Sequence, residues 1–305
     1  MRYILFASVF LIFFQGPLIA EQDRFVALAK QGWNYELRTT MLGRDMAIPV
    51  EIHGRTLTGA TLCLVGEAPH QNSLTVIVAF SGLMKHVFAE PISLGEADKD
   101  ARACPEDTSI ILRLYSGYPA NAGLTADLAW LNEKYRLGLP RNRRYMATSP
   151  AMGQTFFGRL GQATHLMVKQ PSHQSTSALE EAFYRSILIE ELYQSFSFGM
   201  DLLLFDRETG FTSKLQETPV NLQRLPWGSK ELMRALVNSN PGGLCLFDVF
   251  MLHAIARAPV TQTVEPAFIT FIDANYEQLL AQARLTMDDP AYALLLAPDC
   301  ARSAF

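Results

Sequence analysis

The 305-residue sequence contains no H-x-x-x-H pair, no G-x-S-x-G, no G-x-G-x-x-G and no G-x-x-x-x-G-K. A conventional zinc peptidase, a nucleophile-elbow hydrolase, a dinucleotide enzyme and a P-loop nucleotidase therefore all lack their sequence basis. Charge is sparse and leans acidic: 26 Lys and Arg stand against 30 Asp and Glu, a formal −4, with 18% charged residues in all. No basic field exists to hold a phosphodiester backbone, so nucleic acid is not an expected partner. Beyond the N-terminus no 18 consecutive apolar residues occur. The longest candidates, Leu74 to Met84 and Leu244 to Ala258, are interrupted by Thr, Ser, Asp, His or Arg, so no transmembrane span is expected in the mature chain. There is no internal repeat and no low-complexity linker. What is present is 49% apolar and 10% aromatic residues, enough for a substantial core and too much for a disordered chain.

Residues 1–20 (MRYILFASVFLIFFQGPLIA) place Arg2 before an apolar run from Ile4 to Phe14, then a Gly16-Pro17 break and Ala20 ahead of Glu21. This reads as a secretory signal peptide cut near Ala20, with a periplasmic or secreted product. No cysteine follows the apolar run, so a lipid-anchored precursor is not indicated. Cleavage removes Arg2 and leaves 25 basic against 30 acidic residues. All four cysteines, Cys63, Cys104, Cys245 and Cys300, fall in the exported part, where an even number favours disulfides. Of three pairings, Cys63 with Cys104 and Cys245 with Cys300 are expected, because each joins neighbouring segments and leaves each half of the chain self-contained. The rival zinc site has neither a C-x-x-C nor a nearby His pair.

Along the chain, Arg24 to Leu37 has helical apolar spacing and Ile48 to Val65 alternates as a hairpin. Leu74 to Phe88 is apolar without a deciding period. Thr108 to Tyr115 and Thr164 to Lys169 read as strands. Helices are expected over Thr125 to Arg136, Ser177 to Phe198, Ser229 to Val237, Leu246 to Ala258 and Ala267 to Leu285. Phe211 to Pro226 is polar and turn-rich. The expected organisation is α+β: a small α/β region over 21–107, then a domain over 108–305. Arg141, Arg143 and Arg144, close after Lys134 and Arg136, form the one dense basic cluster. A solvated loop beside a helix end, where cations suit the dipole, is a simpler reading of it than an anion site.

The Ser177 to Phe198 helix carries the most information. It opens with Ser177 and Glu180 in capping-box spacing, and its interior holds the adjacent acids Glu190 and Glu191 in an apolar context. Buried carboxylates are costly unless partnered or functional. Their plainest explanation is a hydrogen-bonded pair held by Arg185 or by backbone donors. The sharper one follows from spacing: a zinc-hydrolase helix sets ligands at i and i+4, with a Glu at i+1 acting as general base. Those places are Glu190, Gln194 and Glu191.

The segment Glu190-Glu191-Leu192-Tyr193-Gln194-Ser195-Phe196-Ser197-Phe198, with Asp201, resembles a family of secreted proteobacterial domains of unknown function marked by an E-E-x-x-Q segment. More distantly it is similar to the metzincin pattern H-E-x-x-H-x-x-G-x-x-H-D. Glu190, Gln194 and Met200 then stand where the histidines would be, Ser197 replaces the Gly, and Glu191 and Asp201 are retained. Leu246 to Ile255 looks like the helix that closes some such domains, and Thr164 to Lys169 sits where an edge strand over the cleft would be. The resemblance implies a zincin-like domain with a mixed sheet and a long central helix.

Gln is a weak oxygen donor and Met a soft thioether, so Glu190, Gln194 and Met200 make a poor zinc set. Zinc is disfavoured and no cofactor is expected. The leading expectation is a pseudoenzyme, a metallopeptidase-like scaffold that binds a peptide, an envelope component or a partner protein. Glu190 and Glu191 are its candidate catalytic residues, and Gln194, Met200, Asp201 and His165 its candidate cleft residues. The alternative is a peptidase-like hydrolase with Glu191 as general base and atypical metal ligands. His165, at the start of the presumed cleft strand, and His253, on an apolar helix, are the most suggestive of the six histidines.

Overall fold

A computed structural model describes residues 16–34, 59–172 and 176–300. Helix α1 (Gly16–Trp33) runs through the expected cleavage point and is followed, after the undescribed stretch, by β1 (Thr61–Gly66). Then come α2 (Gln71–Phe88), β2 (Ser93–Glu96), β3 (Thr108–Tyr115), α3 (Asn121–Tyr135), β4 (Ala151–Gly158), β5 (Gly161–Lys169) and α4 (Ala178–Ser197). The last third holds two short strands, β6 (Leu202–Leu203) and β7 (Gln216–Glu217), and four helices: α5 (Lys230–Val237), α6 (Leu246–Arg257), α7 (Pro266–Ala274) and α8 (Tyr276–Met287).

Five strands form one mixed sheet in the order β2-β1-β3-β5-β4. β2, β1, β3 and β5 are parallel, while β4 runs antiparallel to β5 as the outer strand. The fold is thus α+β as expected. The sheet crosses the expected 107/108 division, since β1 pairs with β3 over Leu62↔Ile110 to Gly66↔Leu114. Strand alternation sorts the core into two layers. Ile110, Leu112 and Leu114 of β3, with Leu166 and Val168 of β5, face α1, α2, α4 and the C-terminal helices. Ile111, Tyr115, Ala163 and Met167 face α3 on the other side.

Several boundaries differ from the sequence reading for local reasons. The hairpin expected over 48–65 lies partly outside the described residues; its end, Thr61 to Val65, is a central strand of the sheet. Leu74 to Phe88 is helical. Helix α3 starts at Asn121 rather than at Thr125, whose hydroxyl bonds back to the Asn121 carbonyl at 2.9 Å. The helix expected over 267–285 is two helices, because the Asn275 backbone and side chain both donate to the Phe271 carbonyl, at 3.1 and 2.8 Å, and end the first. The expected edge strand, Thr164 to Lys169, is flanked on both sides; the edge is β4.

Both expected disulfides are formed, Cys63 to Cys104 and Cys245 to Cys300. They fit an oxidising compartment outside the cytoplasm, and among the described residues no helix is long and apolar enough to cross a membrane.

Candidate functional site

Helix α4 begins with the expected capping box. The Ser177 N–H donates to Glu180 Oε2 at 2.9 Å, and the Glu180 N–H to Ser177 Oγ at 3.4 Å. It ends where Phe198 turns left-handed, φ 57°, and donates to the Gln194 carbonyl at 2.8 Å. Gly199 lets the chain double back: a Cβ there would lie 2.4 Å from Leu215 and 2.7 Å from the Trp33 ring. The return brings Asp201 against Gln194, which donates to its carboxylate. Next, β6 pairs with β7 and carries Glu217 alongside.

The result is a cleft of about 370 Å³. Its carboxylates are Glu190, Glu191, Asp201 and Glu217, and Gln194 and residues 151–153 of β4 complete the near wall. Beneath it lies Lys214, with 0% of its side chain exposed, donating to Ser186 Oγ (2.7 Å), Asn240 Oδ1 (3.0 Å) and the Pro241 carbonyl (2.7 Å). Its ammonium stands 3.5 Å from Glu190 Oε2. Burial pushes this ammonium down, while Glu190 opposes that shift. Lys214, rather than Arg185, is the cation that meets the acid pair. The Lys214 backbone N–H is held by Asp248 (2.7 Å), which also accepts from Ser213 and Cys245. Burial lifts the Asp248 carboxyl to about 6 against these donors.

Glu191 is the least comfortable group. It is 7% exposed, and its Oε2 has no hydrogen-bond partner among the described residues. Burial, then the charges of Glu190 and Asp201, drives its pKa well above the ordinary carboxylate range, with Lys214 opposing. It fits only because β4 has glycine above it: a Cβ on Gly153 would sit 2.5 Å from Glu191 Oε2 and 2.8 Å from Leu166 Cδ2. Removal of its carboxyl from water, then Glu190 and Glu217, raise Asp201 to about 7, against the Gln194 hydrogen bond and the Lys214 charge. Glu217 is raised by burial and by Glu190. At neutral pH the cleft thus holds part of its acid as carboxyl rather than carboxylate.

Of the six non-cysteine candidate residues, Glu190, Glu191, Gln194 and Asp201 line this cleft. Met200 does not. It lies on the turn after Gly199, with its N–H bonded to the Gly32 carbonyl at 3.0 Å, and is 40% exposed. His165 is also elsewhere, because strand alternation sends it to the α3 face while Leu166 and Val168 face α4. There its Nε2 lies 2.9 Å from Asp127 Oδ2, beside an Arg113 to Asp127 pair at 2.5 and 2.7 Å. All three are buried, which gives a structural clamp rather than a cleft group. His253 and His86 share the Thr286 hydroxyl, at 2.9 and 3.2 Å, and burial lowers His253 to about 4, so it sits neutral. Lys214, Glu217 and Gly153 were not legible as site residues from sequence. A lysine in a polar segment reads as exposed, and only the pairing of β6 with β7 places Glu217.

Carboxylates and an amide are hard oxygen donors. Among the described residues, however, no group of three or more His, Cys, Asp or Glu side chains is placed to hold a metal ion. Comparison of the chain with protein-family models, with curated proteins and with solved structures gives no match.

Proposed function

We infer that this protein is a non-hydrolytic binding domain that takes an extended peptide segment of an envelope partner and seats a basic side chain of that segment in the acidic cleft. The observation that carries the reading is the convergence of Glu190, Glu191, Asp201 and Glu217 on one cleft whose single cation, Lys214, is already engaged from below. Part of this acid is protonated at neutral pH, and a cationic guest is favoured because its charge stabilises the carboxylate form of the raised groups, which release their protons as it binds. The second support is the wall itself. β4 is last in the sheet order and has no strand partner on its outer side among the described residues. Such an edge pairs readily with an incoming strand, main-chain bonds supplying affinity and alternate side chains specificity.

The finer fold reading belongs with this proposal. A mixed sheet with an antiparallel outer strand above the helix that bears Glu190, Glu191 and Gln194 supports a zincin-like scaffold, and with it the resemblance to secreted domains with the E-E-x-x-Q signature. Replacement of imidazole donors by Glu190 and Gln194 supports a pseudoenzyme over a zinc peptidase.

A test is calorimetric titration of the protein with a library of extended octapeptides, comparing each binder with its Lys→norleucine or Arg→citrulline version. Loss of tenfold or more in affinity on neutralising one basic residue, with the peptide intact by mass spectrometry, is expected. Equal binding of charged and neutralised peptides refutes the reading. A second reading, hydrolysis with Glu191 as general acid or base, is favoured by the raised pKa values of Glu191 and Asp201. Peptide cleavage abolished by Glu191→Gln establishes it instead.

A further inference from the structure

A larger cavity than the acidic cleft, about 930 Å³, opens along α3, on the side of the sheet opposite α4. Three segments build it: α3 from Thr125 onward with Arg136 just after its end, the loop that follows with Arg141, Arg143 and Tyr145, and Arg159 in the β4–β5 turn. Four guanidinium side chains line it against a single acid, Glu133. Among the described residues, Arg136, Arg141 and Arg143 form no ion pair with a carboxylate. We propose that this cavity is a binding site for a compound bearing two or more phosphate groups.

Attraction to the helix end does not account for the arginines. Three carbonyls there already have donors. Asn132 accepts from Leu137 (3.3 Å), Tyr135 from Leu160 (3.1 Å) and Arg136 from Arg159 (3.4 Å). These three do not need a guanidinium as a cap. Nor is the loop merely solvated chain. Asn132 donates to the Leu139 carbonyl (3.1 Å) and accepts its N–H (2.9 Å), the Tyr145 N–H reaches the Thr125 hydroxyl (3.0 Å), and the Ala147 N–H reaches Asn121 Oδ1 (2.8 Å). The hairpin is seated as firmly, since a Cβ on Gly158 would lie 2.1 Å from the Tyr135 carbonyl oxygen. Arginine-bearing segments held in place give a preorganised concave field. Arg143 is further ordered by stacking 5.4 Å over the Tyr145 ring, and the Tyr145 hydroxyl is shielded from solvent with no hydrogen-bond partner among the described residues.

The ligand class follows from the donors and the size. Guanidinium forks bind phosphate oxygens in pairs, and the three of Arg136, Arg141 and Arg143 match several negative charges rather than one. The volume exceeds what one inorganic phosphate fills and lies within the range of organic ligand sites. Phosphates of that kind occur on soluble polyanions and on lipid headgroups.

The test uses the full chain and its Arg141→Ala/Arg143→Ala variant, both in exposed loop positions, with circular dichroism and thermal unfolding confirming the fold. Tripolyphosphate is titrated by calorimetry, and co-sedimentation is measured with vesicles of phosphatidylcholine alone or with cardiolipin, whose headgroup bears two phosphates. Saturable tripolyphosphate binding, or binding to anionic vesicles alone, weakened at least tenfold in the variant and reduced by added salt, supports the site and separates its two sources. No binding of either probe, or binding equally tight in the variant, overturns it.

Discussion

Glu191→Gln should change how stability depends on pH more than it changes stability itself. The Glu191 carboxyl is buried without a partner for Oε2, and its pKa in the folded protein lies well above the ordinary carboxylate range. The folded state therefore keeps a proton that the unfolded chain gives up. Its contribution is fully present below the unfolded pKa and is lost as pH rises through the folded one. One such proton is worth about 1.4 kcal/mol per pH unit, so wild type should lose stability at up to this slope as pH rises from about 5, until the folded-state carboxyl itself ionises. Gln is close in shape and does not titrate. Its amide leaves an offset of roughly 1 kcal/mol of either sign, the same at every pH. Asp201, Glu217 and Asp248 are also raised and give both proteins a falling curve. Asp201 is one of the charges that lift Glu191, so the difference between the two proteins reports Glu191 together with its coupling to Asp201. Urea unfolding at intervals across this range measures it. A difference between wild type and variant that stays constant with pH refutes the reasoning.

Gly153→Ala should lower stability by about 1–3 kcal/mol, because its methyl group meets both Glu191 and Leu166; adding Glu191→Ala should recover part of this in urea melts. Asp127→Ala should cost about 3–5 kcal/mol, since it leaves Arg113 buried without its partner. Burial acts to raise the Asp127 pKa, but hydrogen bonds from Arg113 and His165 outweigh it and hold the group below its ordinary value. Its stabilisation is therefore present above the ordinary pKa and lost as acid titration falls through the lowered one, which a wild-type melt at decreasing pH checks. Opening either disulfide by Cys→Ser replacement of both partners removes a cross-link spanning 41 or 55 residues. Each should cost about 4 kcal/mol if chain entropy dominates, read from urea midpoints.

What the sequence disclosed is what is encoded locally. The capping box of α4, the Ser229 cap of α5 and the apolar run of β3 each sit within a few residues of the structure they direct, and they were legible. β4 was not. Its Ala-Met-Gly-Gln-Thr-Phe-Phe-Gly contains two glycines and no clean alternation, and its conformation is fixed by eight cross-strand partners in β5 rather than by its own composition. Both glycines permit close approaches, Gly158 to the Tyr135 carbonyl and Gly153 to Glu191 in the cleft. His165 misled because β5 is buried on both faces, so parity could not be read from burial. Met200 misled because spacing presumes the turn that follows a helix; the left-handed Phe198 and the close-packed Gly199 send Asp201, not Met200, back to Gln194. Lys214 is the strongest case. A fully buried lysine is rare, and this one is tolerated only because Ser186, Asn240 and Pro241, from segments distant in sequence, satisfy its three donors. The acid pair on α4 thus announces itself in one dimension, whereas the counter-charge that lets those acids share a cleft exists only once the C-terminal third has folded against that helix.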